Sequence, residues 1–350
     1  MKRTCTISII LVLFAAINFA QENKVKLSGL MYSDIFYNID NADAAKKDIN
    51  GFQIRRIYFT ADFSISEKFD SRFRLESDQS GNSNTNGGKL GVMVKDAYLK
   101  WKGLFNGSDM IIGISPTPAF DVSESAWGYR SLEKTILDLD GIVSSRDFGI
   151  DLKGKLAGDG TVNYWLKIAN NSGNAPETDK YKRYYAMLHF KLADGLQATV
   201  HVDYASKGNK LDNFDNRLKS NNQFVGSAFI GYKQKDEFSV GAEVFMRSIQ
   251  NNYSASAASP LQNQNSFGFS LWGWTTLSED FRLVGRFDNY DPNKDLNSDG
   301  NSFFMAGLDY RPAKNVSIIP NFQYVSYQAK DSQGNSKKDF VARLTFAYSF

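Results

Sequence analysis

The chain has 350 residues, 41 Lys and Arg against 38 Asp and Glu, two His and one Cys. Without Lys2 and Arg3, which precede an apolar run from Ile7 to Phe19, 39 bases face 38 acids, so no overall basic bias points to nucleic acid. Mean hydropathy is −0.39, and beyond the N-terminal run no apolar stretch is long enough for a membrane helix. The one cysteine, Cys5, lies within that N-terminal pattern, which leaves 21–350 without disulfide or thiol chemistry.

The first element is this leader. A basic start, an apolar core and small residues form the three-part pattern of a secretory signal peptide, expected over 1–20 with the cut after Ala20. The run is shorter than the roughly 20 residues a bilayer-spanning helix needs.

After it, polarity alternates with period two, the signature of strands with one apolar and one wet face. Strands are expected to start near Val25, Phe52, Phe69, Val92, Met110, Arg146, Val162, Tyr184, Leu196, Phe224, Phe238, Phe267, Phe281, Phe303, Val316 and Phe340. In the third, Phe69, Ser71, Phe73 and Leu75 oppose Asp70, Arg72, Arg74 and Glu76. In the last, Phe340, Ala342, Leu344, Phe346, Tyr348 and Phe350 oppose Asp339, Val341, Arg343, Thr345, Ala347 and Ser349. Left bare, such a strand is a pairing hazard; facing lipid on one side and a wet lumen on the other, it is a barrel strand. A terminal Phe behind apolar residues at alternate positions also resembles the C-terminal signal of bacterial outer-membrane barrels, which implies the barrel-assembly machinery as a partner through Phe350.

Short turns near Glu67, Asn106, Gly158, Gly195, Asp236, Glu279 and Lys314 alternate with long loops over 38–51, 77–91, 115–145, 170–183, 206–222, 248–265, 290–301 and 328–338. Outer-membrane barrels have this sidedness, with long loops outside. The expected fold is all-β: one transmembrane antiparallel barrel of about 16 strands over 21–350. A barrel of that size encloses an aqueous channel. The expected role is passive passage of small hydrophilic solutes or ions across an outer membrane, with membrane lipids as partners, no cofactor and no enzymatic activity.

The longest loop, 115–145, carries Asp121, Glu124, Trp127, Arg130, Glu133, Lys134, Asp138 and Asp140, and a loop this long is uncommon without a role. It is expected to fold inward as a constriction loop. Its charges would face Arg56, Arg72, Arg74, Lys153, Arg282, Arg286 and Arg343 on the wall, because charged rings are how pores select ions. Cross-strand pairing alone accounts for many such charges: a turn near Ser66-Glu67 sets Asp62 opposite Arg72.

Four segments carry a family resemblance: Gly51-Phe52-Gln53-Ile54-Arg55-Arg56-Ile57-Tyr58-Phe59, Phe69-Asp70-Ser71-Arg72-Phe73, Lys95-Asp96-Ala97-Tyr98 and Ile111-Ile112-Gly113. Over about 50–135 the chain resembles the phosphate-selective porin O and P family. The resemblance implies a homotrimeric, sixteen-stranded, anion-favouring outer-membrane porin. One departure bears on phosphate: Ile114-Ser115-Pro116-Thr117-Pro118-Ala119-Phe120 stands where the family has a lysine-bearing Gln-Phe-Lys-x-Pro-Phe-Gly-like run.

Other constellations are weaker. His189 and His201 fall diagonally on the lumen face of one hairpin, short of the three ligands a metal site usually needs. Asp295, Asn297 and Asp299 match the opening of a calcium loop, but Ala306 occupies the twelfth position where that loop has Glu. The alternative to a pore is a plugged barrel acting as a receptor, adhesin or surface enzyme. It would need bulky apolar side chains filling the interior or a loop closing it, whereas the inward faces read here are polar and charged.

Overall fold

A computed structural model describes residues 24–79, 90–256, 258–331 and 334–350; the expected leader lies outside them, as do residues 80–89 of the second long loop. Sixteen antiparallel strands close into a barrel. They are β1 (Lys24–Asp40), β2 (Asn50–Ser64), β3 (Phe69–Asp78), β4 (Gly91–Phe105), β5 (Ser108–Pro116), β6 (Arg146–Lys155), β7 (Val162–Ala169), β8 (Arg183–Ala193), β9 (Leu196–Ala205), β10 (Gln223–Gln234), β11 (Phe238–Tyr253), β12 (Gln262–Thr276), β13 (Phe281–Asp291), β14 (Asn301–Ala313), β15 (Val316–Lys330) and β16 (Ser336–Ser349). Each strand read from the sequence is present. Each pairs with its sequence neighbours, and β16 pairs with β1 to complete the ring. Outside the ring, Lys210–Asp212 and Arg217–Lys219 form a small hairpin in the loop after β9.

The two faces sort as the alternation demands. Phe148, Ile150, Val200, Val202, Leu283 and Phe322 are exposed on the outside, where hydrocarbon replaces water. Between them Asp147, Asp151, His201, Asp203 and Asn321 are buried inside. Aromatic residues gather at both rims. At the short-turn rim, the Phe69 and Trp101 rings lie 5.4 Å apart and Phe281 and Tyr310 5.1 Å apart. Towards the long-loop rim, Phe287, Phe304, Tyr324 and Phe340 follow one another at 4.7, 6.4 and 6.0 Å. Two such girdles mark the membrane interfaces of a barrel.

Among the register shifts of the barrel, two bear on the charged wall. Between β1 and β2 the register steps from Tyr32↔Arg56 to Ser33↔Ile54, passing over Arg55. Between β3 and β4 it steps from Arg74↔Asp96 to Leu75↔Val94, passing over Lys95. An extra residue on one strand turns two consecutive side chains the same way. Arg55 and Arg56 therefore both point into the barrel, as do Lys95 and Asp96.

The 115–145 loop enters the lumen. It carries two short helices, α1 (Asp121–Trp127) and α2 (Ile136–Leu139), and its Trp127, Leu132, Ile136 and Leu137 are at most 2% exposed. Its apolar side packs on inward-facing residues of the far wall. Ala126, Trp127, Tyr129 and Leu132 meet Phe229, Trp272, Trp274, Val284, Phe303, Met305 and Ile319. Phe120, Ile136, Leu137, Ile142 and Val143 meet Ala169, Tyr185, Val225, Phe245 and Tyr290. The reading of polar and charged inward faces is thus corrected over part of the wall: from β7 to β15 it carries an apolar seat for the loop, because burying those aromatics beneath it removes both apolar surfaces from water.

Candidate pore constriction

Opposite that seat, the charged side of the loop faces the inner wall of β1–β6 and β16 across open space and touches it at Arg55. Three cavities follow one another along it. The deepest, about 350 Å³, is bordered by Tyr32, Tyr58, Arg72, Arg74, Glu124, Arg130 and Arg146. Tyr32 and Arg130 also border the next, about 330 Å³, together with Arg55, Arg56, Glu133, Lys134 and Arg343. Glu133 and Arg343 continue into a third, about 320 Å³, at the long-loop mouth with Asp40, Asp140, Tyr327 and Asp339.

Most wall bases are held by acids on neighbouring strands. Arg55 meets Asp34 at 2.5 Å, Arg56 meets Glu76 at 3.0 Å, Arg72 meets Asp62 at 2.6 Å, and Lys95 meets Glu76 at 2.9 Å. Asp96 is shared by Arg74 at 3.3 Å and by Arg146. Such cross-strand pairs fix long side chains in place. Arg343 differs: its Nε and Nη1 are buried without a hydrogen-bond partner among the described residues.

The loop's own charges are organised around Arg130, which pairs with Glu124 and, at 2.9 Å, with Asp138. Burial pushes the Glu124 carboxyl upward against the pull of Arg130. Burial, with Asp288 adding to it, lifts Asp140 to about 7. The loop is fastened at many points. Arg55 donates to the Leu132 carbonyl at 3.0 Å and to that of Ser131, and Gln323 reaches Leu132 O at 3.2 Å. Ser239 donates to Ala126 O at 3.0 Å, Tyr129 donates to Asp309 at 2.8 Å, and Arg286 donates to Lys134 O.

Of the residues singled out in the sequence, Arg56, Arg72, Arg74, Glu124, Arg130, Glu133, Lys134 and Arg343 all border these cavities. Three others lie elsewhere. The Lys153 ammonium sits 3.2 Å over the Trp165 ring. Arg282 lies over Trp274 and reaches Asp236 at 3.3 Å. Arg286 is sealed beneath the loop against Asp288, its side chain 0% exposed. Sequence reasoning missed Arg55, Lys95 and Arg146. A strict alternation cannot place Arg55 and Arg56 on one face, nor Lys95 beside Asp96. Their only signal was two charged residues in a row within a strand otherwise apolar on one side.

His189 bonds Gln197 at 3.1 Å and His201 bonds Ser227 at 3.2 Å, so the two histidines have separate partners. Among the described residues no three His, Cys, Asp or Glu converge as metal ligands, and Asp295 and Asn297 of the calcium-like loop are exposed.

No family model and no curated protein matches the chain. Solved structures do. The anion-selective porin from Comamonas acidovorans superposes with a TM-score of 0.66 at 11% identity, covering 94% of this chain and 100% of that one. The outer membrane channel DcaP of Acinetobacter baumannii gives 0.65 at 15%, covering 94% and 97%. Salmonella typhi OmpF, in complex with daunomycin, gives 0.64 at 12%, covering 94% and 98%. At these identities the likeness is one of fold: the chain has the barrel architecture of bacterial outer-membrane channel structures.

Proposed function

We propose that this chain is an outer-membrane porin through which small hydrophilic solutes diffuse passively, with a preference for anions. The observation that carries the reading is the series of linked cavities between the inward loop and the β1–β6 wall. Arg55, Arg56, Arg72, Arg74, Arg130, Lys134, Arg146 and Arg343 border the two inner cavities against Asp78, Asp121, Glu124 and Glu133. Asp34, Glu76 and Asp96, which hold several of these bases, have side chains at most 4% exposed and lie behind them, so it is the cationic ends that face the passage, an arrangement that favours anions. Phosphate would pass as one anion among several, since the lysine-bearing run of the phosphate-selective family is replaced by Ile114–Phe120. The family resemblance and the channel structures support export behind a cleaved leader, residence of the 21–350 barrel in the outer membrane and assembly as a homotrimer.

A plugged barrel is the rival, and the apolar seat of the loop is the feature that favours it. The loop is two-sided, however: Tyr129, Leu132, Ile136 and Leu137 pack on the seat, while Arg130, Glu133 and Lys134 face the cavities. Planar-bilayer recording of the purified protein decides between them. Open, ohmic steps whose reversal potential in a salt gradient indicates anions are expected; an absence of conductance ends the porin reading.

A further inference from the structure

The outer surface of the barrel carries a recess where its apolar belt meets the long-loop rim. Its apolar floor is Phe224 of β10, Met246 of β11 and Phe267 of β12; Met246 lies beside Phe267 and, on its other side, beside Gly226 of β10. Phe224 and Met246 are 46% and 60% exposed there. The cavity is about 330 Å³ and is bordered above by Ser248, Asn265, Lys294 and Asp295. The Lys294 ammonium lies 5.8 Å over the Phe267 ring. Lys294 and Asp295, consecutive and both exposed, make no ion pair with each other or with any other described residue.

The geometry points to a seat for one phosphorylated glycolipid of the outer leaflet. The apolar floor is continuous with the lipid-facing wall, so an acyl chain already in contact with β10–β12 can settle between Phe224, Met246 and Phe267. The rim then meets the headgroup. Lys294 supplies a cation to a phosphate, and ammonium groups bind phosphate strongly as point charges. Ser248 donates to Asn265 Oδ1 at 2.9 Å, which leaves the Asn265 amide N–H groups as donors and Asp295 as an acceptor for sugar hydroxyls. A simple anionic phospholipid leaves Asp295 facing its phosphate unpaired, which costs rather than helps. The inference concerns the outside of the barrel and stands apart from what passes through it.

Native mass spectrometry of the full chain in detergent tests it, with bisphosphorylated lipid A, its dephosphorylated form and phosphatidylglycerol as probes. One lipid A per chain is expected to survive detergent washing that strips phosphatidylglycerol. Lys294→Ala should cut retention about tenfold, the scale of a charge-assisted contact. Gly226→Val should cut it as well. A Cβ at Gly226 meets only the Phe224 ring, at 3.6 Å, so a β-branched side chain is tolerated in the strand and crowds the approach beside Phe224 and Met246. Wild-type conductance from both variants shows that they fold. Equal retention of phosphatidylglycerol, equal retention of the dephosphorylated form, or variants that retain lipid A as the parent does would each overturn the assignment.

Discussion

Thr345 Oγ1 donates a 2.7 Å hydrogen bond to Asp34 Oδ1 across the seam where the last strand meets the first, joining residues 311 positions apart. Asp34 is also held by Arg55 at 2.5 Å, so the closure of the barrel and the placement of a pore-wall cation share one carboxylate. Thr345 in turn accepts from Asn321 Nδ2 at 2.9 Å. Thr345→Val keeps the shape and removes the hydroxyl. Asp34 retains Arg55 and Gln53, so the expected cost is about 1 kcal/mol, near the lower end for a broken buried hydrogen bond. Urea unfolding in detergent should show a lower midpoint with an unchanged slope; an unmoved midpoint would mean the seam does not depend on this bond.

Phe346 is the next residue and points the other way, into the lipid belt between Ser33 and Ile318. Phe346→Arg sets a charge in hydrocarbon at a cost of about 2–4 kcal/mol near the midplane. The suitable inward control is Val341. Strand alternation puts Thr345 and Val341 on the same face, yet Thr345 is fully buried while Val341 borders open space at the mouth. Val341→Arg should therefore assemble and Phe346→Arg should not, read as the folded fraction by heat-modifiable gel migration. Similar behaviour from both would refute the face assignment.

Strand positions were legible because a half-wet sheet forces period-two sorting, and β3, β6, β9, β13 and β16 each sort clearly. What alternation cannot register is a skipped residue. The bulges at Arg55 and Lys95 depend on how neighbouring strands pair, a property of two segments at once. The apolar seat was hidden for a different reason. Around Trp272 and Trp274 both faces of β12 are apolar, with Leu271 on the outside, so periodicity does not say which tryptophans turn inward. Trp127 stood out within a long charged loop, but its partners come from strands more than a hundred residues later.

Trp127 is the anchor of that loop. It is 0% exposed, lies 5.7 Å from the Tyr129 ring and 5.5 Å from that of Trp272, and donates its indole N–H to Glu133 O at 3.0 Å. Trp127→Ala should cost the loop's seating about 3–5 kcal/mol, as for other large-to-small changes of buried aromatics. The barrel's ladder of backbone hydrogen bonds does not pass through the loop, so the wall should persist. Single-channel recordings should show a larger and noisier conductance than the parent. An identical trace would place the constriction elsewhere.

Arg343 offers a test of ion preference without a stability cost. Other wall arginines are paired, so removing them strands an acid, whereas Arg343 borders two cavities with Nε and Nη1 unpartnered among the described residues. Arg343→Gln should fold like the parent. Reversal potentials in a potassium chloride gradient should shift toward cations, because one uncompensated positive charge has left the passage. An unshifted potential would mean that selectivity is set by the paired arginines or by the loop.

Asp140 should make the mouth respond to pH. It closes α2 and borders the outermost cavity. Burial is the main reason its carboxyl rises to about 7; Asp288 adds to the shift, while Arg286 and Arg247 oppose it. An unfolded chain releases that proton near pH 4. Between the two values the folded protein binds more protons than the unfolded one, so this group's contribution favours folding most below pH 4 and is lost as pH rises through about 7. The same titration adds a negative charge to the mouth, so anion preference should weaken from the acid side of 7 to the alkaline side. Asp140→Asn keeps the shape and cannot ionise. It should flatten that dependence in reversal-potential measurements and raise stability on the alkaline side, whereas a variant that still titrates like the parent would assign the pH response to another group.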